Sequence, residues 1–309
     1  MVSYCLTIPR PVLGIVHEYA VRLTAFEFKN SGNQSDKVVV FIGGLTDGLM
    51  NVPYLPNLAE CLDGIGWTLV QINFSSSYQG WGTGSLMRDA DEISQLVAYL
   101  RGEKGGSRKK VVLFGHSTGC QDIVQYISKL KPTDPLKQID GGIIQASISD
   151  REAIYMELES QGKGWAELEE LNQFAQSYVD EGRSLDVLPK RYSDLFLGAP
   201  LNAYRWLSLA KKLGDDDFFS CDLTPEDNQA TFGKIDRKLC VLYSEADEYV
   251  PSFVDRHKIF EQWRSVTPPE YWSEFSGFIP GALHNIGPGS APGGVEWALD
   301  RTVKFLEQV

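Results

Sequence analysis

The stretch that decides the fold reads VVLFGHSTGCQD, residues 111–122. A β-branched apolar run, of the kind buried on both faces of a parallel sheet, breaks at Gly115-His116-Ser117-Thr118-Gly119 and then turns polar. G-x-S-x-G between a strand and a helix is the pattern of a nucleophile elbow, which exposes a serine on a sharp, strained turn. Glycines on both sides suit such a turn, because bulky neighbours two residues away would clash. Glycine and serine are common, so the pattern gains its weight from the strand before it and the helix after it.

Outward from this point the chain alternates between buried-type strands and amphipathic helices. Residues 15–28 read as one or two antiparallel strands. KVVVFIGG (37–44), TLVQINF (68–74), KVVLFG (110–115), GGIIQAS (141–147), KLCVLYS (238–244) and YWSEFSGFI (271–279) read as further strands. Helical patterns lie between most of them, and GGVEWALDRTVKFLEQV closes the chain. The alternation predicts an α/β protein with a doubly wound, mostly parallel sheet. Residues 151–222 carry a Glu-, Tyr- and Leu-rich helical pattern without a buried-type strand. They are expected to form a helical cap inserted into one domain spanning 1–309.

Reactive crevices of such sheets lie at the carboxyl ends of the strands. A serine there needs a base within reach. Of the four histidines, His17 falls in the N-terminal strands, His116 is the elbow residue and His257 lies in a charged helical stretch. His284, in IPGALHNIGPG directly after the last expected strand, is predicted to be the base. The base in turn needs a carboxylate to fix its tautomer. Asp247 in LYSEADEYVP precedes His284 in the chain, giving the order Ser, Asp, His expected of this fold. Asp150, at the end of the preceding strand, is the rival, and Glu245 and Glu248 are neighbours of the chosen residue. For the oxyanion, the backbone amides of Leu45, in the Gly43-Gly44-Leu45-Thr46 turn, and of Thr118 are the expected donors.

Composition narrows the partners. The chain has 309 residues and a formal charge of −12, which argues against nucleic acid or an anionic membrane as partner. Five scattered cysteines (Cys5, Cys61, Cys120, Cys221, Cys240) show no metal-ligand spacing and read as reduced thiols. No cofactor is expected: the glycine-rich turns complete neither G-x-G-x-x-G nor a P-loop, and no metal site is expected either. MVSYCLTIPRPVLG makes a poor signal peptide and no apolar run reaches membrane length, so the cytoplasm is the expected location.

GHSTG, SEADEYVP and GALHN, in that order, resemble the α/β-hydrolase superfamily across nearly the whole chain. More narrowly, FIGGLTDG (41–48), SSSYQGWGTGSL (75–86) and SDREA (149–153) are similar to a mainly fungal group that includes the fusarinine C esterases. The resemblance implies a cytosolic serine esterase that opens ester bonds of an iron-loaded hydroxamate siderophore. Such a substrate leaves a free ammonium beside the scissile carbonyl, which an acidic rim at Asp150 and Glu152 would favour. Tyr78 and Trp81 on the strand-end loop, with Trp165 in the insertion, are the expected flat walls for a bulky ligand. Two alternatives stand beside this reading: a lipase or thioesterase acting on another acyl group, and a ligand-binding protein with a vestigial triad. Oligomeric state is not legible.

Overall fold

The computed structural model describes residues 11–29, 31–32 and 35–309. Cys5 and most of the N-terminal stretch read against a signal peptide lie outside the described residues. Strands β1 (Gly14–Ala20) and β2 (Leu23–Phe28) form an antiparallel hairpin, and β2 runs antiparallel to β4 (Thr68–Asn73). That strand, β3 (Lys37–Ile42), β5 (Lys110–His116), β6 (Gly141–Gln145), β7 (Lys238–Ser244) and β8 (Gly277–Ile279) are parallel. The eight strands make one sheet in the order β1-β2-β4-β3-β5-β6-β7-β8.

The β-branched strands bury both faces, as their runs predict. In β3, Val38, Val40 and Ile42 point to one face, where α2 (Leu86–Arg101), α3 (Gly119–Val124) and α9 (Arg256–Val266) pack. Val39 and Phe41 point to the other, against α1 (Leu55–Gly64) and α10 (Gly294–Leu306). This two-residue alternation divides the core into two layers. After Val124 the helix widens into a π-helical segment, Gln125–Leu130. Among the described residues no helix is long and apolar enough to cross a membrane.

Between β6 and β7 run α4 (Asp150–Ser160), α5 (Trp165–Asp180), α6 (Arg191–Leu195), α7 (Ala203–Ala210) and α8 (Pro225–Thr231). The first four of these share a third apolar core around Leu158, Leu171, Tyr192 and Trp206, and Trp81 of the strand-end loop joins it. One strand is shorter than its sequence suggests. Of residues 271–279 only the last three join the ladder as β8, beyond an isolated bridge between Trp272 and Leu239. Serine hydroxyls compete with the backbone there: Ser273 Oγ accepts from the Phe275 amide and Ser276 Oγ from the Val241 amide.

The sheet's chain order reverses between the adjacent strands β3 and β5. Ligand crevices open at such a switch point. Register aligns Ile42 with Gly115, His116 with Gln145, Gln145 with Leu242, and Ser244 with Ile279. The segments after these residues therefore share one edge.

Candidate active site

Ser117 leaves β5 with φ 55°, in the left-handed region that a side-chain-bearing residue enters only at a cost of about 1–3 kcal/mol. The elbow is tight: a Cβ on Gly115 would stand 2.2 Å from the Gly119 carbonyl oxygen. The Ser117 amide donates to the Gln145 carbonyl at 3.1 Å, and the Cys120 amide to the Ser117 carbonyl at 2.8 Å. Backbone bonds thus hold the strained residue. Its hydroxyl has no hydrogen-bond partner among the described residues.

His284 and Asp247 meet. Nδ1 of the buried imidazole donates to Asp247 Oδ2 at 2.7 Å, which leaves Nε2 free for proton transfer. The ring lies 4.9 Å, centroid to centroid, from His116, the residue before Ser117. Burial works against the imidazolium of His284. The charge and hydrogen bond of Asp247, with Glu248 and Asp47 behind them, outweigh it and raise the pKa above the ordinary histidine value. His116 goes the other way: burial and the nearby His284 push it down to about 3, so its ring is neutral.

The flanking acids of SEADE hold the histidine loop. Glu248 accepts from the His284 amide and Glu245 from the Gly281 amide, each at 2.8 Å. Sequence reasoning treated both as bystanders. It also missed Gln145, at the carboxyl end of β6. The Gln145 side-chain amide donates to Ser244 Oγ at 2.9 Å and to the His284 carbonyl at 3.0 Å. Its oxygen accepts from His116 Nδ1 at 2.6 Å and from the Tyr54 hydroxyl at 2.9 Å. The one available signal was a glutamine ending an otherwise apolar strand, GGIIQ.

Beside the serine, residues 43–47 turn after β3. Gly44 lies against Ser117, and neither the Leu45 nor the Thr118 amide has an acceptor among the described residues. Tyr78 is exposed, with its ring over Gly48 and its amide donating to the Asp47 carbonyl at 2.8 Å.

Other expected residues sit elsewhere. Trp81 does not wall an open crevice. It is buried against Phe196, and its carbonyl accepts from Arg205 Nε at 3.1 Å, because α7 closes over the loop. Asp150 and Glu152 form no acidic rim. Both are buried in the first turn of α4, Asp150 accepting from the Gln121 side chain at 2.7 Å and Glu152 from the Cys221 amide at 2.8 Å. Burial, with Asp216 nearby, raises the Asp150 pKa to about 7. Arg151 pairs with Asp217 and Asp222. His17 contacts Glu27, and His257 is an exposed residue packed on Phe278. Trp165 is 42% exposed and stacks on Tyr155 at 4.1 Å, with Phe253 against both. Tyr249, four residues from Phe253, meets His284 edge to face at 4.9 Å. Among the described residues no three His, Cys, Asp or Glu side chains are placed to hold a metal ion.

Residues 6–307 match the family described as "Protein of unknown function (DUF1749)". The chain belongs to this family. The chain is similar to UPF0613 protein PB24D3.06c of Schizosaccharomyces pombe, 39% identical over 95% of this chain and 96% of the relative. Fusarinine C esterase sidJ of Aspergillus fumigatus is 36% identical over 88% of this chain and 89% of its own length. Among solved structures, siderophore hydrolase EstB from Aspergillus fumigatus superposes with a TM-score of 0.81, at 33% identity, covering 96% of this chain and 98% of that one. The family carries the α/β-hydrolase fold here, and relatives named as esterases and hydrolases support an ester-hydrolysing enzyme.

Proposed function

We propose that this α/β-hydrolase esterase works through Ser117, His284 and Asp247. The supporting observation is the His284–Asp247 hydrogen bond at the same sheet edge as a serine held at positive φ. Ser117 Oγ attacks the ester carbonyl carbon while His284 Nε2 takes its proton. The Leu45 and Thr118 amides receive the developing oxyanion. Collapse breaks the bond to the alcohol oxygen, which leaves with the proton from His284. Water, deprotonated by the same imidazole, then releases the acid and regenerates the serine. Asp247 keeps the proton on Nδ1 and offsets the imidazolium charge. The base–nucleophile contact tightens in the substrate complex, as it commonly does in hydrolases.

The substrate we propose is an ester of a hydroxamate siderophore of the fusarinine C type, cleaved in the cytoplasm, with residues 151–222 acting as a cap. The names of two relatives support it. So do four exposed aromatics, Tyr249 against His284, Phe253 against Trp165, and Tyr78 over Gly48, which suit a bulky ligand. The carboxylates at the surface beside the site are Glu245 and Glu248, in place of the expected Asp150 and Glu152. Incubation with ferric fusarinine C, followed by mass spectrometry, tests the assignment. Linear and monomeric products are expected. Unchanged ligand alongside turnover of a simple ester would remove the siderophore and keep the esterase.

A further inference from the structure

The turn after β3 has an unusual internal economy. Asp47 engages both backbone polar groups of Gly44: its carboxylate Oδ2 accepts from the Gly44 amide at 2.8 Å, and its own amide donates to the Gly44 carbonyl at 3.1 Å. Between them Thr46 is held at φ 70°, which a β-branched residue adopts reluctantly. The Asp47 side chain also rests on Gly43, where a Cβ would come within 2.7 Å of its own. The Asp47 carbonyl accepts from the Tyr78 amide, which ties the turn to the neighbouring loop. Gly44, clamped in this way, lies directly against Ser117.

We propose that Asp47 is a positioning residue: by occupying the Gly44 amide and bracing Thr46, it presents the Leu45 amide as the oxyanion donor. This rests on the serine-esterase reading above. A carboxylate near a developing oxyanion is unfavourable by itself, so a compensating charge is required. His284 supplies it, since its imidazolium forms in the same step and interacts with Asp47. Burial outweighs the lowering influence of the Gly44 amide and of His284 and leaves the Asp47 acid raised to about 6. The Tyr54 hydroxyl, at the start of α1, also interacts with Asp47.

Asp47→Ala and Asp47→Asn separate this role from simple turn formation. On p-nitrophenyl acetate, Asp47→Ala is expected to lower kcat about 10- to 100-fold with little change in KM, a fraction of what one oxyanion donor is worth. Asparagine keeps an acceptor for the Gly44 amide, so Asp47→Asn should recover most of that kcat. It should also move the acid limb of the pH profile to lower pH, because a charge that raises His284 is gone. A folded Asp47→Ala enzyme with wild-type kcat would overturn the proposal, as would an Asn variant as slow as the Ala one. Should Asp47→Ala fail to fold, the Asn variant decides: an unmoved acid limb overturns the proposal. If the wild-type enzyme neither turns over the ester nor reacts with a fluorophosphonate, the esterase reading itself is what fails.

Discussion

A Cβ on Gly44 would stand 2.5 Å from Ser117 Cβ and 3.0 Å from its hydroxyl oxygen. The closeness follows from register: Ile42 pairs with Gly115, so the residues two steps beyond each come together above the sheet edge. Gly44→Ala must therefore displace either the turn proposed to hold the oxyanion or the serine. A loss of about 10²-fold in kcat, the order of one oxyanion donor, is expected. Circular dichroism and steady-state kinetics would check that the fold survives and turnover falls.

Acid–base behaviour follows from the surroundings of His284. In the proposed mechanism His284 must be neutral to accept the serine proton, and its pKa is raised by Asp247, Glu248 and Asp47 against the effect of burial. Activity should accordingly rise with pH along a limb centred above the ordinary histidine value of about 6.5. Asp247→Asn removes the largest raising influence and the tautomer control together. It should shift the limb to lower pH and reduce kcat by about 10³- to 10⁴-fold. A pH series of kcat/KM on both proteins measures this.

Gln145 joins four groups that belong to buried residues: the His116 ring, the Tyr54 hydroxyl, Ser244 Oγ and the His284 carbonyl. Gln145→Leu would leave the His116 ring, the Tyr54 hydroxyl and the His284 carbonyl without their partner. Each buried polar group left unsatisfied costs about 1–3 kcal/mol. Lower stability in urea is expected, together with lost activity because the His284 loop is no longer anchored. Equilibrium unfolding monitored by tryptophan fluorescence reads the first effect.

Arg205 carries the link between α7 and the strand-end loop. Its buried guanidinium meets Asp216 at 2.6 Å and donates to the Trp81 carbonyl. Arg205→Met strands the Asp216 carboxylate, and breaking a buried pair from one side costs about 3–5 kcal/mol. The urea midpoint should fall accordingly. The Arg205→Met, Asp216→Leu double variant should regain part of the loss.

What could be read in advance was what a side chain announces through its neighbours in the chain. Val38 to Ile42 and Val111 to Phe114 declare buried strands by composition, and the serine between glycines declares the elbow. The pairing of His284 with Asp247 was legible by elimination and chain order. Asp47, Glu245 and Glu248 were not, because their partners are backbone groups brought close only by strand register and loop closure, nor was Gln145, whose partners His116, Tyr54, Ser244 and the His284 carbonyl come from four separate parts of the chain. Trp81 misled for the same reason: glycine-rich surroundings suggest an exposed loop, and nothing local reveals that Arg205 and Phe196 will cover it. Asp150 lies five residues past β6, in the first turn of α4, and points inward, onto Gln121.

The most direct measurement is reaction with a fluorophosphonate, followed by peptide mass spectrometry to locate the adduct. A covalent adduct on the residue-117 hydroxyl is predicted, absent from Ser117→Ala, with ester turnover by that variant reduced by about 10⁶-fold. An adduct elsewhere, or a Ser117→Ala protein that still cleaves esters at the wild-type rate, would contradict the account.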